Sequence, residues 1–147
     1  MDYLLDTNIV LHLIRESSLS KQLRTDYSLF KVPQRLFVSV VVVVEGELES
    51  LALQNQWGNA KMTELNNYLQ ALITVDIRIN SIIKRYAEID AFSQDKLKNQ
   101  PLNYSARNMG KNDLWIAATA SVLNIPLMTT DNDFNHLDKL FLKLIKV

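Results

Sequence analysis

Tyr3-Leu4-Leu5-Asp6-Thr7-Asn8-Ile9-Val10-Leu11-His12-Leu13-Ile14 reads as a buried strand running straight into a helix. Three apolar residues end at Asp6-Thr7-Asn8, whose short polar side chains suit a turn and a helix cap. Ile9, Val10, Leu13 and Ile14 then fall at helical spacing. The alternation continues down the chain. Pro33 precedes Leu36-Phe37-Val38-Ser39, a second strand candidate. Val40 to Val44 has strand propensity. Yet Ser39 is a good N-cap and Leu48, Leu51 and Ala52 follow with helical character, so we favour a strand to about Ser39 and a helix after it. A polar helix over about 60–72 leads to the short apolar run Ile73-Thr74-Val75, and a helix over about 78–97 follows.

Residues 99–112, with Pro101 and Gly110, read as a loop. Asp113 then opens the alanine-rich helix Leu114-Trp115-Ile116-Ala117-Ala118-Thr119-Ala120, which Asn124 can end. Ile125-Pro126-Leu127-Met128-Thr129 is a buried strand candidate, and Phe141 to Ile145 a last edge strand. Short, nearly all-apolar strands alternating with helices imply an α/β fold with a parallel sheet covered on both faces. No repeat, low-complexity run or linker interrupts the pattern, so a single domain over 1–147 is expected.

Composition narrows the chemistry. With no cysteine, and with His12 and His136 far apart, any metal must be held by oxygen, which points to a hard cation such as Mg²⁺ or Mn²⁺. Sixteen basic and sixteen acidic residues cancel, a balance mildly unfavourable to a nucleic-acid partner. Net charge does not report local patches, and an acidic metal site would offset a basic groove. Asp2 stands where a signal peptide wants positive charge, and the longest apolar stretch, near Leu36 to Val44, is too short to span a bilayer. A soluble, cytoplasmic protein is expected.

Parallel α/β sheets bind ligands beyond the carboxyl ends of their strands. Asp6 follows the first strand, Asp131 lies two residues beyond Thr129, Glu45 sits early in the helix after the second strand, and Asp113 begins the Trp115 helix. Four carboxylates then converge from four segments. Held close together they repel, and a divalent cation removes that cost. The chemistry such a cluster suits is metal-assisted hydrolysis of phosphodiesters. Taken singly, each acid has an ordinary explanation: Asp6 and Asp131 as helix caps, Asp113 as a partner of the helix dipole, Glu45 as a solvated charge beside Glu47 and Glu49. It is their joint placement that carries the argument.

At these residues the sequence resembles the PIN-domain nucleases, in particular the VapC toxins of bacterial toxin–antitoxin pairs. The resemblance rests on Leu4-Leu5-Asp6-Thr7-Asn8, on Val38-Ser39 with Glu45 six residues after the serine, on Asn112-Asp113-Leu114-Trp115-Ile116-Ala117-Ala118-Thr119-Ala120, and on Leu127-Met128-Thr129-Thr130-Asp131-Asn132-Asp133-Phe134. Each motif is weak alone, but the ordered set spans nearly the whole chain. The resemblance implies a three-layer α/β/α sandwich around a parallel sheet of about five strands. It further implies Mg²⁺ or Mn²⁺, endonucleolytic cleavage of RNA, a small VapB-like antitoxin and a homodimer. It makes Asp6, Glu45, Asp113 and Asp131 both the metal-binding and the catalytic acids, Asp6 and Asp113 as central ligands and Glu45 and Asp131 completing the site directly or through water, with Thr7 and Asn8 in support.

Two features depart from the family pattern. Gly46 follows Glu45 where leucine is commoner, leaving Glu47 as a rival about 200° round an ideal helix. Asp133 is a second acid in the last motif, read as a cap or a support behind Asp131.

Arg107, Lys111, Lys96 and Lys98 could hold substrate phosphates at the rim, Lys111 first among them because it adjoins the site, while for Lys96 and Lys98 we favour solvated loop charge. His12 and His136 read as structural or solvated, and Trp115 as packing rather than base stacking. A haloacid-dehalogenase-like phosphatase would need a second aspartate where Asn8 stands, and no glycine-rich phosphate loop follows any strand. The main rival is a catalytically inactive PIN-like binding or scaffold module.

Overall fold

The structure is a computed structural model that describes residues 1–43 and 47–147, with the side chains at 43, 47–49 and 51 left aside. Its strands are β1 (Asp2–Leu5), β2 (Arg35–Ser39), β3 (Ile73–Val75), β4 (Leu127–Thr129) and β5 (Leu144–Lys146). Its helices are α1 (Thr7–Ile14), α2 (Ser18–Asp26), α3 (Val40–Val43), α4 (Glu47–Gln54), α5 (Asn59–Ala71), α6 (Asn80–Ser93) and α7 (Lys111–Leu123), with a 3₁₀ helix over Asn132–Leu137. The sheet runs β3-β2-β1-β4-β5, and every neighbouring pair is parallel. Helices α1, α2 and α5 pack together, as do α3, α6 and α7, completing the α/β/α layering.

Burial explains the strand sequences. β1 lies mid-sheet between β2 and β4, so both its faces are covered, and Leu4 and Leu5 are fully buried with Leu127 and Met128 beside them. Each such side chain is worth roughly 1.5–3 kcal/mol of apolar burial. The β-branched run after Ser39 is helical through Val43, with Val41 and Val42 wholly in the core. Packing on α7 overrides the strand propensity of valine there.

Some boundaries differ from expectation. α6 begins at Asn80 because the Arg78 amide is bound by the Asp76 carboxylate, and it ends at Ser93 shortly before Asp95 turns to φ 56°. α7 begins two residues before Asp113, at Lys111. Its other end is as read: Asn124 adopts the left-handed conformation (φ 53°, ψ 43°), and Ile125 N donates to Ala120 O. The last strand is shorter and later than expected, since Asp138 Oδ1 accepts from Leu144 N and holds 139–143 in a turn. α2, capped by Ser17, and the 3₁₀ helix were not anticipated. Trp115 packs its ring 4.3 Å from Tyr86, and His12 Nδ1 lies 3.0 Å from Ser17 Oγ, both structural roles.

From β1 the chain crosses to β2 on one side, while β4 leads to β5 on the other. The connections therefore diverge between β1 and β4. Such a switch point opens a crevice at the carboxyl ends of the strands, where ligands bind.

Candidate metal centre

Asp6 and Asp131 lie at that switch point. Asp6 caps α1: its Oδ1 accepts from Thr7 N at 2.8 Å, while its own amide donates to Met128 O on the neighbouring strand. Its Oδ2 accepts from Thr129 Oγ1 at 2.7 Å. Thr129 Oγ1 in turn accepts from Asp131 N at 2.9 Å. One hydroxyl thus ties the end of β1 to the end of β4, a link between residues distant in sequence that sequence reading missed. Nothing local marks Thr129 for it beyond a position next to the acidic turn.

Asp131 also caps the 3₁₀ helix, its Oδ1 accepting from Asp133 N at 2.9 Å. Asp113 is the third residue of α7, where the helix dipole favours a carboxylate. Among the described residues, carboxylate oxygens of Asp113, Asp131 and Asp133 lie within 4.8 Å of one another. Two unit charges at such a separation repel by about 1 kcal/mol in a water-like medium and about 4 kcal/mol near a protein surface. A hard divalent cation is the partner that three converging carboxylates fit, and the donor set holds only oxygen.

The structure brings Asp113 and Asp131 together and adds Asp133, the acid read from sequence as a cap or support. The cap is instead Asp131. A visible signal was the i, i+2 spacing across a turn, which leaves both side chains free to face the same rim. Asp6, read from sequence as a central ligand, is not among these three carboxylates. It is 3% exposed, and burial pushes its carboxyl above the usual range. The Thr129 hydroxyl and Thr7 amide oppose that rise, Asp131's charge adds to it, and Lys146 counters it. Glu45 lies outside the described residues, and so does the choice between it and Glu47, whose side chain is among those left aside. Arg107 reaches the group, its Nη1 standing 3.8 Å from Asp133 Oδ1. Lys111 is exposed at the start of α7, two residues before Asp113.

The 3₁₀ helix carrying Asp133 is anchored from below. His136 is 1% exposed, and its Nε2 lies 2.7 Å from Ser93 Oγ at the end of α6. Phe92 stacks nearly parallel to its ring. Burial, then the charge of Arg107, lowers its pKa to about 4, against partial compensation from Asp133. In the unfolded chain the imidazole titrates near 6.5. Between those values the unfolded state binds more protons, so stability is full above about pH 6.5 and is lost as pH falls toward 4. The whole window corresponds to a contribution on the order of 3 kcal/mol. Urea midpoints measured from pH 7 to 4 are expected to fall, and to fall less in His136→Gln; equal slopes would contradict a buried neutral imidazole.

Comparison with known proteins agrees with the fold. A family model described as PIN domain matches residues 3–140. VapBC2 from Rickettsia felis bound to a promoter DNA fragment has a similar fold, with TM-score 0.75 and 22% identity over 99% of this chain and 100% of the other. VapBC-1 from nontypeable Haemophilus influenzae gives 0.72 and 24% over 99% and 98%. FitAcB from Neisseria gonorrhoeae gives 0.67 and 18% over 98% and 96%. No curated protein matches the chain.

Proposed function

The chain belongs to the PIN-domain family, and from that premise we propose that it is a divalent-metal-dependent endoribonuclease, the toxin of a type II toxin–antitoxin pair. Family membership implies nuclease activity as a class. The finer reading is carried by one observation: three carboxylates within 4.8 Å of one another at the sheet's switch point.

In this reading Asp113, Asp131 and Asp133 hold Mg²⁺ or Mn²⁺, with Glu45 a further ligand and Asp6 adding its charge. Bound there, the cation supplies a water of lowered pKa and stabilises charge on the scissile phosphate. The protein's own part is preorganisation. Thr129 fixes Asp6 and the Asp131 backbone in one register. Asp131 caps the turn that delivers Asp133, and α7 sets the height of Asp113. Arg107 and Lys111 face the substrate's phosphates. The similar solved structures described above are VapBC and FitAcB assemblies, and we carry a VapB-like antitoxin over to this chain as its partner, together with a homodimer and a cytoplasmic site of action. Among the described residues no helix is long and apolar enough to cross a membrane.

The test is cleavage of purified total RNA by antitoxin-free protein, with Mg²⁺ or Mn²⁺ and with EDTA. Cleavage is expected with either ion and is expected to stop on chelation. Absence of cleavage with both ions would favour a binding module instead.

A further inference from the structure

Beside the acidic group, the turn after α6 and the loop before α7 enclose a notch of about 190 Å³, lined by Gln94, Lys96, Ala106, Arg107 and Asn108. We infer that this notch holds a backbone phosphate of single-stranded RNA next to the one being cleaved, an assignment that rests on the nuclease reading above.

The lining decides the ligand's charge. It contains two cations, two side-chain amides and no acid; the Gln94 amide already donates to Asp90 Oδ1 at 2.8 Å, so Lys96, Arg107 and Asn108 make the set donor-rich. Such a set fits an anion with several acceptor oxygens. Arg107 forms the wall shared with the acidic group, because its Nη1 stands 3.8 Å from Asp133 Oδ1. That separation is longer than a hydrogen bond, so the guanidinium is not locked into a fork on the carboxylate and keeps donors for a phosphate. Its backbone is nonetheless fixed, since Arg107 N donates to Ser93 O at 2.8 Å.

Lys96 links this notch to a second, of about 520 Å³, lined by Glu88, Lys96, Leu97, Lys98, Asn99, Gln100 and Phe141. Glu88 there is drawn to Arg85 at 3.0 Å, so Lys96 and Lys98 dominate the charge facing the space. Phe141, its ring packed on Phe92 at 5.1 Å with the Arg85 guanidinium 6.0 Å from its centroid, presents its remaining exposed part to this space as an aromatic contact for a flanking base. Acids, then a cation pair, then cations beside an aromatic ring is the order a single strand needs: metal at the scissile phosphate, donors at the next, a platform for the flanking base. Lys96, read from sequence as a solvated charge, becomes a substrate-positioning residue. A peptide carboxylate would match the charge of the notch, but not its direct continuation into a metal-binding group.

The experiment measures binding rather than turnover. A fluorescein-labelled single strand of roughly 12 nucleotides is titrated into Asp113→Asn protein, with and without Lys96→Ala, over a range of KCl concentrations. Each phosphate contact on a single strand contributes about −0.7 to the slope of log K against log[salt]. Lys96→Ala is expected to reduce the slope's magnitude by about 0.7 and to weaken binding about threefold to tenfold at low salt. Lys96→Arg restores both, and Lys21→Ala, on α2, changes neither. An unchanged slope in Lys96→Ala overturns the proposal, as does a polyglutamate peptide whose binding depends on Lys96 while RNA binding does not. If total RNA resists cleavage while the Lys96-dependent slope is present, the hydrolytic reading falls and the notch stands. Metal-dependent cleavage by the wild type with an unchanged slope removes the notch alone.

Discussion

Asp113→Asn is expected to lower RNA cleavage by about 10²- to 10³-fold or more, the scale on which one preorganised charged or polar group acts on a transition state. The substitution keeps shape and removes charge. Asp113 enters from α7, whereas Asp131 and Asp133 share one turn, so it is the acid that makes the group a junction of two separate elements. Losing it leaves two carboxylates on one side and opens the site. The fold should tolerate the change, because asparagine keeps the side chain's shape and an oxygen acceptor, and the helix-dipole share of what is lost amounts to about 0.3–1 kcal/mol. Single-turnover cleavage with Mg²⁺ or Mn²⁺, beside a melting curve, separates the two effects. An active, well-folded Asp113→Asn protein would end the metal-centre reading.

Asp6→Asn is expected to act on both activity and stability, in opposite directions. Without metal, burial holds the Asp6 carboxyl above its ordinary pKa of 3.8, so ionising it at neutral pH opposes folding. Between 3.8 and the raised value the folded state binds more protons than the unfolded, so this group's contribution falls as pH rises through that window. Asparagine removes the charge; its amide oxygen can still accept from Thr7 N, and its amide nitrogen can donate to Thr129 Oγ1 once that hydroxyl turns its proton away. The metal-free melting temperature should therefore stay level or rise at pH 7, and its pH dependence should flatten. The rise in melting temperature that Mg²⁺ or Mn²⁺ gives the wild type should shrink, and cleavage should fall sharply, because the field on the cation has lost a negative charge. Should Asp6→Asn melt well below the wild type in EDTA, the residue is a structural cap and nothing more.

The legible part of this protein was its periodicity. Tyr3-Leu4-Leu5 before Asp6 and the alanine-rich run after Asp113 are short-range patterns, and burial on both faces of the sheet gives them no other stable use. The α7 terminus was equally legible, because Asn124 is one of the few non-glycine residues that tolerates the left-handed conformation. The Val40 run was not settled by local propensity, since valine's preference for strands yields when packing against another helix is at stake.

The sequence by itself determined the fold class and the exclusion of cysteine and paired-histidine chemistry, and it put Asp113 and Asp131 forward for one edge of the sheet. Those follow from residue type and spacing, which act over a few positions. Only the tertiary structure decided that Asp133 joins Asp113 and Asp131, that Thr129 ties Asp6 to the Asp131 backbone, and that Lys96 shares a notch with Arg107. The physical reason is common to all three: each depends on how β4 lies beside β1 and how the turn after α6 meets the 3₁₀ helix. Such contacts join residues far apart in the chain, and distance along a sequence carries no record of distance in space.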